Sequence, residues 1–460
     1  MMSHPTTPPA GAGRTTNTAG EGRLRRALGV PSLVLFGLVY MVPLTVFTTY
    51  GIVTQISGGR VPAAYVITLV AMVFTARSYA KMAHAFPFAG SAYTYTQKSF
   101  GAGVGFVAGW ALLLDYLFLP MINYLVIGIY LSEAFPLIPA WVFVVTAIVL
   151  VTVLNIIGIV SVARANFVII AAQAVFIVTF AALSIATMTG TGTVDLSAPF
   201  TGDGTAEGFG PLMAGAAVLC LSFLGFDAIS TLSEEAKEPK KSVPRAIVIA
   251  TITGGLIYIF LSFLSQLVFP SNDFASVDSA ALDVMAAAGG QFLTIFFTAA
   301  YVAGACGSAL TSQASVSRIL YAMGRDGVLP RRFFGHLSQR FDTPVFATLA
   351  VGVVSLFAIV IDLTFLSEMI SFGALVAFSA VNLSVIKHFA IDGGRRSGSD
   401  IVSFVVLPAI GFGLTLWLWT SLSPRTLIIG LVWLAVGFAY LAFVTRGFRR
   451  ATPTLDLKEQ

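Results

Sequence analysis

Apolar stretches long enough to cross a bilayer follow one another through this chain, and they constrain its fold more than any other feature. About 18 consecutive apolar residues already mark a membrane-spanning helix, because hydrocarbon offers no partner to an unbonded backbone N–H or C=O. Hydropathy divides the chain into about twelve spans: residues 29–56, 62–84, 103–133, 139–160, 164–188, 209–234, 244–269, 289–323, 344–362, 367–388, 401–421 and 426–446. Outer-membrane barrels show short alternating segments instead. With 57% of residues hydrophobic and 10% charged, against roughly 25% charged in an ordinary soluble domain, a soluble globule is excluded. The chain reads as an all-α polytopic membrane protein.

Charge sets the orientation. An even number of spans with both termini inside puts all but two of the 26 Lys and Arg on the cytoplasmic side, leaving Arg60 and Arg425 outside. This is the positive-inside pattern, so the net charge of +5 belongs to it and is no footprint of nucleic-acid binding. Residues 1–28 are rich in Pro, Thr and Gly, carry Arg14, Arg23, Arg25 and Arg26, and lack the apolar core and cleavage site of a signal peptide. They read as a disordered cytoplasmic tail, 29–446 as one transporter domain and 447–460 as a second cytoplasmic tail. The expected location is the cytoplasmic (plasma) membrane. Outer loops hold Asp195, Asp203, Glu207, Asp273, Asp278 and Asp283, which read as solvated loop acids rather than a cation funnel. Cys220 and Cys306 lie in apolar stretches with no CxxC spacing, so no disulfide framework, metal or cofactor is implied.

Two spans are interrupted at matching places. The first contains Pro43, which removes a backbone hydrogen bond and clashes with the preceding turn; the sixth contains Gly225 followed by Asp227. Helix breaks at membrane depth persist only where the freed backbone lines a cavity or is buried in protein, and paired breaks in the two halves point to a transporter site. The third and eighth spans, five apart, are the long ones. Two inverted five-helix repeats, 29–188 and 209–388, plus two extra helices in 401–446 account for this pattern.

Three stretches then resemble a known family: Phe223 through Ser233-Glu-Glu-Ala-Lys-Glu-Pro239 to Pro244-Arg-Ala-Ile247, Phe86-Pro-Phe-Ala-Gly-Ser-Ala-Tyr-Thr-Tyr95, and Ser317-Arg-Ile-Leu-Tyr-Ala-Met-Gly-Arg-Asp-Gly-Val-Leu-Pro330. They are similar to the amino acid, polyamine and organocation (APC) transporter superfamily. Within it, the blocks Asp115–Asn123, Ser222–Ala228 and Ile370–Ser384 resemble the bacterial putrescine importers, and the likeness runs from about residue 24 to 450. The resemblance implies a LeuT-like core of two inverted five-helix repeats and proton-driven uptake of a small cationic amine. Composition and spacing alone reach only a secondary transporter.

Many amino-acid carriers of the superfamily have G-x-G at the first break, where backbone N–H groups cradle a carboxylate. Here the positions read Pro43-Leu44-Thr45, which supplies such a nest poorly and implies a substrate without a carboxylate; the alternative is that Leu44 and Thr45 still offer their N–H groups. Intramembrane acids are functional candidates by default, and Asp115 and Asp227 lie well inside spans. Asp227, just after the sixth-span break, is the candidate for substrate binding and proton coupling, or else caps the second half-helix. Asp115 is the second proton-coupling candidate. Tyr116, Pro120 and Asn123 share one face of the third span, and the resemblance links the position of Tyr116 to substrate, where a ring face can hold an ammonium. Tyr40, Met41, Thr45, Ser222 and Phe226 complete the candidate binding set, with Phe223 as a gate. The polar run Thr311, Ser312, Gln313, Ser315 and Ser317 reads mainly as helix-to-helix bonding, with Ser312 approaching the pocket.

All four histidines lie in the tail or near inner loops, so a proton path would have to use carboxylates. Some superfamily members carry a lysine in the fifth span, and the nearest counterpart here is Gln173, a departure that speaks against a lysine-based switch and leaves a neutral side chain to hold the helix contact. The expected partners are protons, a small amine and the lipid bilayer. The alternative within the family is an amino-acid permease; an enzyme is not expected, because no HExxH, GxSxG or His/Asp group is present.

Overall fold

The computed structural model describes residues 28–87, 91–157, 162–190, 195–206, 208–233, 235–325, 329–338, 340–341, 343–395, 397–447 and 449. The expected tails, apart from Leu28, 447 and 449, lie outside these residues, as do Glu207 and parts of the three family stretches (88–90, 234 and 326–328). Among the described residues there is no strand, and eleven helices are long and apolar enough to cross a bilayer; a shorter apolar helix, Val345–Ile359, stands at the predicted ninth span.

The chain begins with α1 (Val30–Met41), stops, makes a 3₁₀ turn over Pro43–Phe47 and resumes as α2 (Tyr50–Ser57). The stop has a local cause: proline disfavours helical geometry in the residue before it, and Val42 is pushed to φ +46°. Then come α3 (Val61–Ala85), α4 (Ala92–Phe100), α5 (Ala102–Ala134), α6 (Ala140–Ile157), α7 (Val162–Gly190) and the short α8 (Ala198–Thr201). The second half repeats the opening. Helix α9 (Phe209–Val218) tightens into a 3₁₀ turn over Leu219–Phe223, breaks, and restarts as a 3₁₀ turn over Ala228–Leu232. After it come α10 (Pro239–Val268), α11 (Ala280–Arg325), α12 (Arg331–Phe334), α13 (Val345–Ser355) and α14 (Leu363–Val385). The last elements are α15 (Gly398–Ile401), α16 (Leu407–Thr420) and α17 (Pro424–Val444).

Packing follows the five-span offset. Helix α3 runs along α10, the second and seventh spans; α5 packs on α14, and the equivalent pair in the other half, α11 on α7, is also among the most extensive. Close approach depends on glycine: a Cβ on Gly255 would lie 2.4 Å from Leu69 Cδ1 at the α3–α10 crossing, and one on Gly373 would lie 2.6 Å from the Ala111 carbonyl at α5–α14. Side-chain amides then bond the helices. Gln313 on α11 donates from Nε2 to Thr152 Oγ1 at 2.9 Å and to the Thr348 carbonyl at 3.2 Å. Its Oε1 accepts from Tyr124 OH at 3.2 Å and Asn155 Nδ2 at 3.1 Å. One residue of the predicted polar run thus joins α5, α6, α11 and α13, while Thr311, Ser315 and Ser317 bond back to carbonyls four residues earlier. Helix α17 is clasped to α5 by Trp110 and Trp433, whose rings stack at 5.0 Å and whose indole N–H groups each donate to the other's carbonyl at 2.9 Å.

The two ends of the bundle differ. At one, Leu28 pairs with Ala236 in an isolated parallel bridge and His84 Nδ1 lies 2.8 Å from the Lys240 carbonyl. At the other, Arg60 donates to the Ala206 and Gly208 carbonyls and Asp203 N–H donates to the Gly58 carbonyl at 3.1 Å, fastening the loop before α9 onto α2. Burial alone would raise the Asp203 pKa, but bonds from the Thr205 hydroxyl and N–H and from Asn272 hold it below the usual carboxylate value. A depressed folded value means this contribution is complete above the unfolded carboxylate range near ~4 and is lost as pH falls through the lower folded value.

Gln313→Met removes four hydrogen bonds and leaves the Tyr124 hydroxyl and Thr152 Oγ1 without these partners in the bundle. A destabilisation of about 1 to 3 kcal/mol is expected, read as a lower unfolding temperature of the purified protein in detergent; an unchanged melt would contradict the role of Gln313 as a junction.

Candidate functional site

The two interruptions meet. Leu224 is extended (φ −63°, ψ 124°) and Gly225 sits at φ +130°, so the chain turns sharply between the 3₁₀ segments of the sixth span. A Cβ on Gly225 would lie 2.8 Å from Tyr40 Cδ1 and 2.9 Å from Met41 N, so only glycine allows this approach to the first break. Tyr258 on α10 then ties both breaks together: its hydroxyl lies 2.9 Å from the Met41 carbonyl and 2.7 Å from the Ser222 carbonyl, two oxygens that the interrupted helices leave without a regular partner.

Beside the breaks lies a cavity lined by Tyr40, Met41, Val42, Thr45 and Thr48 of the first span, Leu119, Ile122, Asn123 and Val126 of α5, Leu221 and Leu224 of the sixth span, and Tyr301, Gly304, Ala305 and Ser308 of α11. A second cavity adjoins it, sharing Tyr40, Val42, Leu119, Gly304 and Ser308, and extends along Phe36, Ile169, Gln173, Thr311, Ser312 and Ser315. These last residues lead toward the Leu28 end. Toward the Arg60 end the cavity is shut: Thr48 and Tyr301 are hydrogen bonded, Tyr130 OH donates to the Phe47 carbonyl at 3.1 Å, and the Phe47 ring packs edge-on against Phe180 at 5.5 Å and Phe297 at 5.3 Å. The structure is therefore closed at one end and continuous with a wider cavity toward the other.

Of the predicted binding residues, Tyr40, Met41, Thr45 and Asn123 line this cavity, and Ser312 and Gln173 line its extension. Ser222, Phe223 and Phe226 do not. Ser222 Oγ faces α3, 3.0 Å from Tyr65 OH; Phe223 packs on Tyr258 at 5.5 Å; Phe226 packs on Tyr79 at 5.5 Å and Phe378 at 5.2 Å. Tyr116 lines a separate, apolar pocket with Ser91, Tyr93, Phe106, Trp110 and Met323. Gln173 packs against Gly304, where a Cβ would lie 2.1 Å from its Nε2.

Neither predicted acid lines the cavity. Asp227 is 8% exposed; Oδ1 accepts from Gly225 N at 3.2 Å and Oδ2 from Ser91 Oγ at 3.2 Å. It thus bonds back into the break instead of capping the next turn. Asp115, 7% exposed, has an Oδ1 with no hydrogen-bond partner. No ion pair to either acid is present among the described residues. A third buried acid escaped the sequence reading: Glu368, 5% exposed near the start of α14, accepts from Thr426 Oγ1 and Ser423 Oγ on the α17 side. No group of three or more His, Cys, Asp or Glu able to hold a metal occurs among the described residues.

At the first break, few backbone donors remain for a carboxylate, and Leu44 N–H is the one among these positions without a bond to a neighbouring turn's carbonyl among the described residues. Pro43 has no N–H, Val42 N donates to the Val39 carbonyl at 3.2 Å and Thr45 N to the Val42 carbonyl at 2.8 Å. Tyr301, Ser308 and Thr48 were missed as lining residues, although Tyr301, Gly304, Ser308, Thr311 and Ser315 recur at three- and four-residue intervals and mark one face of α11.

Two interrupted spans meeting beside a cavity that carries a few polar groups among apolar ones define a carrier for small solutes. A model of the amino acid permease family matches residues 33–453, and the chain belongs to that family. It is 40% identical over 465 residues to the low-affinity putrescine importer PlaP of Escherichia coli K12, covering 99% of both chains. It is 28% identical over 455 residues to the branched-chain amino acid permease BcaP of Bacillus subtilis, covering 93% of this chain and 95% of that one. It is 30% identical over 417 residues to the vacuolar cationic amino acid transporter 4 of Arabidopsis thaliana, covering 83% and 66%.

Gly225→Ala forces an L-residue to φ +130° and a methyl into Tyr40 and Met41. Transport is expected to fall more than about tenfold, from strain of about 1 to 2 kcal/mol plus displacement of the first break; near-native rates would show that the breaks need not touch.

Proposed function

We propose that this protein is a secondary active transporter that imports putrescine or a related small cationic amine by proton-coupled alternating access. The observation that carries this is the 40% identity to a putrescine importer over essentially both whole chains. The geometry supports it in two ways. The first break offers few N–H donors to a carboxylate, and two acids, Asp115 and Asp227, are buried without an ion pair among the described residues, Asp227 being bonded to Gly225 next to the cavity-lining Leu224. A buried carboxylate is costly in a membrane, and an ammonium or a proton relieves that cost.

In this reading the amine is held among Tyr40, Met41, Thr45 and Asn123, with Asp227 and Asp115 supplying negative potential from outside the cavity lining and carrying the coupling proton. Tyr116, next to Asp115 on α5, lines the separate apolar pocket, outside this cavity. Ser222, Phe226 and Phe223 act indirectly here, by shaping the sixth-span break against α3, α10 and α14. Both termini are cytoplasmic, so the shut end beneath Arg60 faces outward and the extended cavity opens inward, which makes the described state inward-facing. The Thr48–Tyr301 bond and the phenylalanines around Phe47 must separate for loading from outside. Inward movement of a cation is also favoured by the membrane potential, at ~2.3 kcal/mol per charge per 100 mV.

Two experiments test this. Radiolabelled putrescine uptake into proteoliposomes is expected to be saturable, stimulated by an imposed proton gradient, and reduced at least about tenfold in Asp227→Asn; uptake of an amino acid without uptake of putrescine would reassign the protein as an amino-acid permease. For orientation, a cysteine placed at Asn272 is expected to react with an impermeant thiol reagent in intact cells and one at Lys240 only after lysis. The reverse labelling would invert the proposed direction of both openings.

A further inference from the structure

Asn123 faces the cavity with both amide hydrogens already engaged: Nδ2 donates to the Leu119 carbonyl at 2.7 Å and to Ser308 Oγ at 3.0 Å. A backbone carbonyl can only accept, so the atom beside Leu119 is the nitrogen, and the amide orientation is fixed by chemistry. What remains is Oδ1, an acceptor. The Leu119 bond lies within α5 itself, one turn back, and an amide torsion is broad and roughly two-fold on its own. The bond from Ser308 comes from α11, across the cavity, and is the one that anchors the amide to a second helix.

We infer that Ser308 is a specificity-setting positioning residue: by accepting one hydrogen of the Asn123 amide it keeps Oδ1 turned into the cavity, where it takes an N–H of an ammonium and opposes a carboxylate oxygen. This deepens the amine-import reading and rests on it. Thr45 on the first span has the same polarity. Thr45 Oγ1 spends its hydrogen on the Met41 carbonyl at 3.2 Å and so presents lone pairs, Thr45 N–H is bonded to the Val42 carbonyl, and Pro43 has no N–H. Two fixed acceptors, on the first span and on α5, therefore face one cavity. An amine is a donor on every hydrogen; an amino acid brings a carboxylate that needs donors, and leaving it unpaired in a desolvated site is costly. Discrimination thus comes from the direction of hydrogen bonds, which sequence composition at these positions does not reveal, since an asparagine can serve either way.

The test compares putrescine with ornithine, which is putrescine bearing one carboxylate, in initial-rate uptake by proteoliposomes of the full chain. The native protein is expected to prefer putrescine strongly. In Ser308→Ala the KM for putrescine is expected to rise about tenfold with the maximal rate within about twofold of native, and the preference over ornithine to narrow by a similar factor, because the released amide can turn its N–H groups into the cavity. Ser308→Thr, which keeps the hydroxyl, is expected to restore both values. The inference is overturned if Ser308→Ala leaves KM and preference unchanged, or if it lowers the maximal rate for both substrates together, as a merely structural residue would. Failure of the underlying reading looks different: the native protein itself then carries no putrescine.

Discussion

The bilayer gives an unpaired carbonyl nowhere to go, and the structure depends on how that problem is solved where two helices stop. Tyr258 meets it with one hydroxyl, whose single hydrogen is shared between the Met41 carbonyl at 2.9 Å and the Ser222 carbonyl at 2.7 Å, while Thr45 Oγ1 also donates to the Met41 carbonyl at 3.2 Å. The position of Tyr258 comes from the α3–α10 pair, and its ring stacks on Tyr65 at 5.4 Å, whose own hydroxyl bonds Ser222 Oγ. The most extensive helix pairing among the described residues therefore also sets the distance between the two breaks. Gly225 makes the approach possible and Pro43 makes the first stop unavoidable.

From that junction the remaining architecture divides into fixed and separable contacts. Gln313 and the Trp110–Trp433 clasp join helices through bonds that use up their polar atoms. The closure beside the cavity is of another kind: the Thr48–Tyr301 hydroxyl pair, one bond from Tyr130 OH to the Phe47 carbonyl, and edge-on phenylalanine contacts that are individually weak. A carrier needs that difference, because the contacts that open in each cycle have to be small beside those that hold the scaffold.

The spans were legible in the sequence because hydropathy over about 18 residues is a strong signal, and the paired breaks because proline and glycine leave visible marks. The helix α4 was not, since its Ala92–Phe100 segment is polar and short, nor was the helical segment before Gly289–Gly290, where non-helical φ/ψ angles kink α11. The cavity lining of the first span and α5 could be read from position, and Tyr40, Met41, Thr45 and Asn123 do line it. Ser222, Phe223 and Phe226 could not be placed, for a geometric reason. Leu219–Phe223 winds as 3₁₀, with three residues per turn, so Leu221 and Leu224 share the cavity face while Ser222 and Phe223 turn toward α3 and α10. A helical wheel drawn at 3.6 residues per turn fails wherever the helix is interrupted, which is where the site is built. Glu368 was overlooked for a simpler reason: it stands one residue inside a predicted span, where an acid reads as a loop residue until α17 is seen to cover it.

The central claim is that an amine lies in the cavity beside the two breaks, held by acceptors on the first span and α5. The most direct measurement is an experimental structure of the purified chain saturated with putrescine. The account expects a linear ligand bounded by Tyr40, Thr45, Asn123, Ser308 and Tyr301, with one terminal nitrogen at hydrogen-bonding distance from Asn123 Oδ1. Putrescine seated instead in the apolar pocket beside Trp110 and Tyr116, with the cavity at the breaks empty, would contradict it.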